Sequence, residues 1–189
     1  MLKTTAMLKE ELRDYKNPAM KIHRMVEDGE LFRVCPGWYE TDRSIPPAQL
    51  AGIVHRPSYL SFEYALSYHG LIPERVSAYT SATYGQRKRT SFTNVFGRYD
   101  YQSVPAEVYP IGLTAPDWEY GSRMASPEKA LCDQLYKMPP VTSKGRFPGL
   151  LFDSLRIEEE DFRNLDLKAL KQYASLYHKK NLHYLEEML

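Results

Sequence analysis

ELFRVCPGWYETD, residues 30–42, is the stretch on which the reading of this chain turns. Two short runs of β-formers flank the pair Pro36-Gly37, which predicts a tight hairpin. A lone two-stranded hairpin is marginal in water, so this one must lean on a neighbour. A candidate stands directly upstream. Asn17 is a good N-cap and Pro18 a good first helical residue, so a helix is predicted from Pro18 to about Asp28, ended by Gly29. On a helical wheel Ala19, Ile22, Met25 and Val26 share one face. Met20, Lys21, Arg24 and Asp28 point the other way, with His23 toward the edge.

Further upstream, Leu8, Leu12 and Tyr15 recur at i, i+4 and i+7 behind the possible caps Thr4 and Thr5, which predicts a first short helix. Helix, break, helix, hairpin is the order of a winged helix-turn-helix, with the hairpin as the wing. In such a module the second helix enters the major groove, where Arg and Lys reach guanine edges or phosphates, and the wing touches the adjacent backbone. Met20, Lys21 and Arg24 on the helix, and Arg33 on the wing, are therefore the candidate DNA-contacting residues. The same pattern also describes a small helical lobe that merely packs. Residues 1–42 hold seven Lys and Arg against eight acids, so the module is not basic overall.

The whole chain has 189 residues, 43% hydrophobic and 26% charged, enough for one core or one core plus a satellite module. Its formal net charge of +1 advertises neither nucleic acid nor an acidic partner, so any such binding must come from local patches. Cys35 and Cys132 form no CxxC and no zinc spacing, which disfavours a metal site or a disulfide framework, and no cofactor is expected. The start, MLKTTAMLKEELRDY, lacks an apolar core, and no run approaches about 18 apolar residues. Secretion and membrane spanning are disfavoured, and a reducing cytoplasm is the expected compartment. Fifteen tyrosines point to packing in a β-rich middle.

After Asp42, the stiff pair Pro46-Pro47 cannot continue a strand, which places a boundary near residues 43–47. The expected organisation is a winged-helix module over 1–45 and a larger mixed α/β domain over 46–189, an α+β chain overall. In the second part SFEYALSYHG reads as a helix capped by Ser61 and closed by Gly70. VSAYTSATY and SFTNVFGRYDYQSV read as two strands joined by GQRKRT, with a further strand in EVYPIGLT. Ser126-Pro127-Glu128 opens another helix with Leu131, Leu135 and Met138 as its buried stripe. From Glu158 onward the spacing is helical, with Asp166 as a cap.

Two more motifs carry chemistry. Arg87, Lys88 and Arg89 crowd the strand connection, and from Arg75 to Ser103 five basic residues stand against one acid. Such a cluster can hold phosphate or an acidic protein surface, or be a solvated hairpin tip. In ASPEKALCD, Glu128, Lys129, Cys132 and Asp133 fall close together, but no histidine is near to activate Cys132 and no glycine-rich phosphate loop precedes it. Capping and a buried cysteine explain that motif better than catalysis. His69 reads as a helix C-terminal residue.

KNPAMKIHRMVEDGELFRVCPGWYETD, then RPSYLSFEYALSYHGLIPE, then AYTSAT with its basic loop, then MASPEKALCDQLY together resemble the AbiEi family of antitoxins and related transcriptional regulators, over roughly residues 15–140. The order of the four pieces carries the resemblance more than any one of them. It implies an N-terminal winged helix, here shorter than the full three-helix form, that binds operator DNA and represses its own operon. It also implies a larger domain that opposes a nucleotidyltransferase-like toxin or acts on that toxin's target, with no catalysis of its own. A nuclease-like enzyme delivered by the winged helix, and a protein-only interaction module, are the competing expectations.

Overall fold

The Pro36-Gly37 turn forms where the sequence places it, in a computed structural model that describes residues 1–85 and 88–189. Strand β1 (Leu2–Thr4) leads into helix α1 (Thr5–Glu11), then come α2 (Pro18–Glu27), β2 (Phe32–Cys35) and β3 (Trp38–Glu40). Gly37 turns the hairpin at φ +85°, a left-handed conformation in which a Cβ would be strained. Thr4 caps α1 by accepting from the Met7 N–H at 3.2 Å, and Asn17 caps α2 by accepting from the Met20 N–H at 3.1 Å. The sequence did not suggest β1. It pairs antiparallel with β3 and makes a three-stranded sheet of order β1-β3-β2.

That sheet uses both faces. Tyr39 pairs across the ladder with Lys3 and Arg33, and it packs with Leu8, Ile22 and Leu31 in a small core under the two helices. The opposite face, with Phe32, Val34, Cys35 and Trp38, packs into the main core.

Residues 43–47, where a boundary is expected, lead straight into buried chain. Ile45, Ala48, Leu50, Ala51, Ile53 and Val54 are buried, because the 3-10 turn Pro47–Leu50 and helix α3 (Ala51–Val54) run beneath the large sheet. Its tyrosines satisfy their carbonyls: Tyr99 donates to Pro47 O at 3.0 Å and Tyr101 to Ala51 O at 2.7 Å. Across the seam Asn94 donates to Val34 O at 2.8 Å, and the ring of Phe32 meets Phe96 edge-on at 6.2 Å. Arg43 reaches Val95 O, while Tyr120 donates to the buried Glu40 carboxylate.

The larger part comprises β4 (Tyr59–Leu60), α4 (Phe62–Tyr68), β5 (Ala78–Thr83), β6 (Thr90–Asn94), β7 (Gly97–Ser103), β8 (Leu113–Thr114), β9 (Met124–Ala125), α5 (Pro127–Lys137), α6 (Phe147–Gly149), α7 (Glu159–Arg163), α8 (Leu167–Ala174) and α9 (Lys180–Met188). Its six-stranded sheet runs β6-β7-β5-β4-β9-β8. The stretch SFTNVFGRYDYQSV, expected as one strand, is a hairpin, folded back where Asn94 Oδ1 accepts from the Phe96 N–H at 2.8 Å. The partner of β5 is then the second arm, β7, in parallel. Of EVYPIGLT only Leu113 and Thr114 are strand. Ser61 occupies the N-cap position of α4 without capping it; its hydroxyl is drawn instead to Asp133 at 2.7 Å. Leu131 and Leu135 of α5 are fully buried, Ser126 caps that helix, and Asp166 caps α8 as expected. Among the described residues no helix is long and apolar enough to cross a membrane.

Candidate nucleic-acid interface

Helix α2 carries three of the predicted DNA-contacting side chains, Met20, Lys21 and Arg24, and its N-cap fixes where it starts. Ile22 is buried and Met25 and Val26 are half-buried against the small core, while Ala19, assigned to the same face, is exposed. On the other side Met20 is 48% exposed, Arg24 is exposed and Lys21 is half-buried.

These three residues line one surface depression of about 540 Å³ together with Tyr15, Lys16, Asn17 and Asp28. Lys16, Lys21 and Arg24 make no ion pair among the described residues, so three cations face the depression against the single carboxylate of Asp28. Elsewhere in the module charge is spent locally: Lys3 pairs with Glu11 at 2.6 Å, Arg13 with Glu10 at 3.0 Å, and His23 approaches Glu27 at 3.3 Å. A module that is not basic overall thus gathers three cations without an ion pair along one face of α2. Lys16 was missed because the search followed the wheel of the helix, and this residue lies just before its cap.

Arg33 is exposed on β2, with its guanidinium 5.7 Å from the centre of the Tyr39 ring. Tyr39 lies on the helix-bearing face of the sheet, so cross-strand pairing puts Arg33 on the same side as α2.

The second basic cluster behaves differently. Arg87 lies outside the described residues. Lys88 is exposed, and neither it nor Arg89 enters the depression on α2. Arg89 is not the unpartnered cation that its sequence neighbourhood suggested, because the β6–β7 hairpin brings it 2.9 Å from Asp100. Asp100 is 3% exposed and also accepts from Arg98 at 3.0 Å and from Ser91 at 2.6 Å. Burial pushes its carboxyl pKa up, but Ser91, Arg98 and Arg89 together hold it below the ordinary aspartate value.

The ASPEKALCD motif is interior. Cys132 is fully buried and burial pushes its thiol pKa up, the opposite of an activated nucleophile. Cys35 is half-buried and its thiol is raised by the same cause, which outweighs nearby Arg56. His69 is the C-cap of α4, and its Nε2 lies 2.9 Å from Ala125 O. Compared with protein-family models and with curated proteins, the chain matches none.

Proposed function

We propose that residues 1–45 act as a reduced winged helix-turn-helix that binds operator DNA, and that the chain is an autorepressing antitoxin opposing a nucleotidyltransferase-like toxin or acting on its target. The observation that carries the DNA reading is the set of unpaired cations Lys16, Lys21 and Arg24 around one depression, with Arg33 of the hairpin on the sheet face that carries α2. A helix face presented this way suits the major groove, and a cation on the hairpin suits neighbouring phosphates. The antitoxin half of the reading rests on the resemblance of four ordered segments to AbiEi antitoxins.

The test is a titration of the full chain against its own upstream DNA at two salt concentrations. Binding should weaken as salt rises, and the double change Lys21→Ala, Arg24→Ala should lower affinity and flatten the salt slope by about 1 for each phosphate contact removed. Unchanged affinity and slope would remove α2 from the interface. Co-expression with an adjacent nucleotidyltransferase-like reading frame tests the second half, which requires that the chain restore growth.

A further inference from the structure

A second concentration of unpaired positive charge lies away from α2, in a cleft of about 430 Å³ lined from α3, the start of β4 and the residues around β8 and just before β9. Arg56 and Arg123 line it with Ser58, Ser122, Tyr109 and Tyr120, and among the described residues no Asp or Glu does. Arg56 is pre-positioned: its Nε donates to Gly52 O at 2.8 Å and its guanidinium lies 5.5 Å from the centre of the Trp38 ring. Its terminal nitrogens keep no partner among the described residues. The Arg123 guanidinium makes no ion pair there either, and it sits near enough to Tyr109 to oppose the rise that burial and Tyr84 impose on that phenol.

Two guanidiniums without a carboxylate between them form an anion site, and their planar forks match phosphate oxygens. Tyr59, Tyr109 and Tyr120 contribute to its walls, which suits a planar ring better than a bare ion. The volume falls in the range of about 300–1,000 Å³ usual for small-molecule pockets. We propose that this cleft binds a mononucleotide, its phosphate between Arg56 and Arg123 and its base against the half-buried tyrosines. The site is independent of the DNA interface on α2. Because the Arg56 guanidinium lies against Trp38 of β3, an occupied site would reach the hairpin through Arg56.

The test titrates the full chain with AMP, GMP, CMP and UMP, and separately with adenosine, inorganic phosphate and phosphotyrosine, by calorimetry and by Trp38 emission in a Trp118→Phe background. At least one mononucleotide should bind with Kd below about 1 mM. It should bind roughly tenfold more tightly than adenosine, phosphate or phosphotyrosine, a gap of about 1.4 kcal/mol. Arg123→Gln removes an exposed side chain with no bonded partner, so it should fold normally and weaken binding about tenfold; Arg56→Gln should do the same and shift Trp38 emission. No mononucleotide binding at roughly 10 mM overturns the proposal. So does binding that survives Arg123→Gln, or phosphate or phosphotyrosine binding as tight as the best nucleotide.

Discussion

Lys129 and Asp133 stand one turn apart on α5, both fully buried, with the ammonium nitrogen 2.9 Å from Asp133 Oδ1. Tyr177 donates to the same oxygen at 2.6 Å, and Tyr59 and Ser61 donate to the other at 2.8 and 2.7 Å. Lys129 also donates to the Tyr177 hydroxyl. One carboxylate thus ties β4, α5 and the connection between α8 and α9 to a single point. The short run SPEKALCD shows a cap and a cysteine at sequence level, whereas its structural work is done by the lysine and the aspartate.

Breaking this pair from one side strands a charge in the core. Lys129→Met and Asp133→Asn should each lower unfolding free energy by about 3–5 kcal/mol. The double change Lys129→Met, Asp133→Leu should recover a large part of that loss, because an apolar pair leaves no charge unpaired. Urea titration of the three variants decides the matter, and a single-variant loss under about 1 kcal/mol would show that water reaches the site.

Gly112 supplies a second sharp expectation. Its φ is +65°, and a Cβ there would lie 2.9 Å from Lys129 Cβ and 2.9 Å from the Tyr173 ring. Gly112→Ala combines backbone strain of about 1–3 kcal/mol with overpacking of similar size. Its melting temperature should fall well below that of Gly121→Ala, where φ is +63° but nothing lies within 4 Å.

The Asp100 carboxylate makes stability depend on acid pH in a defined direction. Its folded pKa lies below the ordinary value, so its contribution is complete at neutral pH. That contribution is lost as pH falls from about 4 through the folded value. Asp100→Asn should be less stable than the parent at pH 7, with the gap closing under acid conditions. Arg89→Ser should cost more than Lys88→Ser, by up to about 1 kcal/mol, since Arg89 is half exposed and Asp100 keeps Arg98 and Ser91.

Removing residues 1–42 should expose the far face of the seam. Phe96, Ile53 and Val54 would lose Phe32, Val34 and Trp38 as cover, and Tyr120 would lose Glu40. A chain starting at residue 43 should bind a hydrophobic dye and melt below the full chain. A soluble fragment with an unchanged melting temperature would show that the seam contributes little.

Local signals made the N-terminal elements readable. Asn17-Pro18 and Pro36-Gly37 each specify a conformation within four residues, and both elements formed in place. What failed depends on distant partners. The LKT strand has no pattern of its own and exists because β3 offers it an edge. The split of SFTNVFGRYDYQSV follows from Asn94 closing a turn that lacks the usual Asn-Gly or Pro-Gly signature. RSIPPAQLAG reads as a boundary because of its prolines, yet its aliphatic residues are part of the core. In the candidate interface the wheel found Met20, Lys21 and Arg24, whereas Lys16 and the capture of Arg89 by Asp100 emerge only in three dimensions.

Strand β3 is held from both sides, by helices through Tyr39 and by the large sheet through Trp38 and Glu40. Both sets of contacts would have to break before the two parts could swivel. If α2 lies in a groove of DNA, the heading of the larger domain follows from it as a ship's hull follows its keel. Two copies on neighbouring half-sites would then meet, or miss, according to the helical phase of the sites alone, and inserting half a turn of DNA between them, about 5 base pairs, would swing the second copy to the opposite side of the duplex.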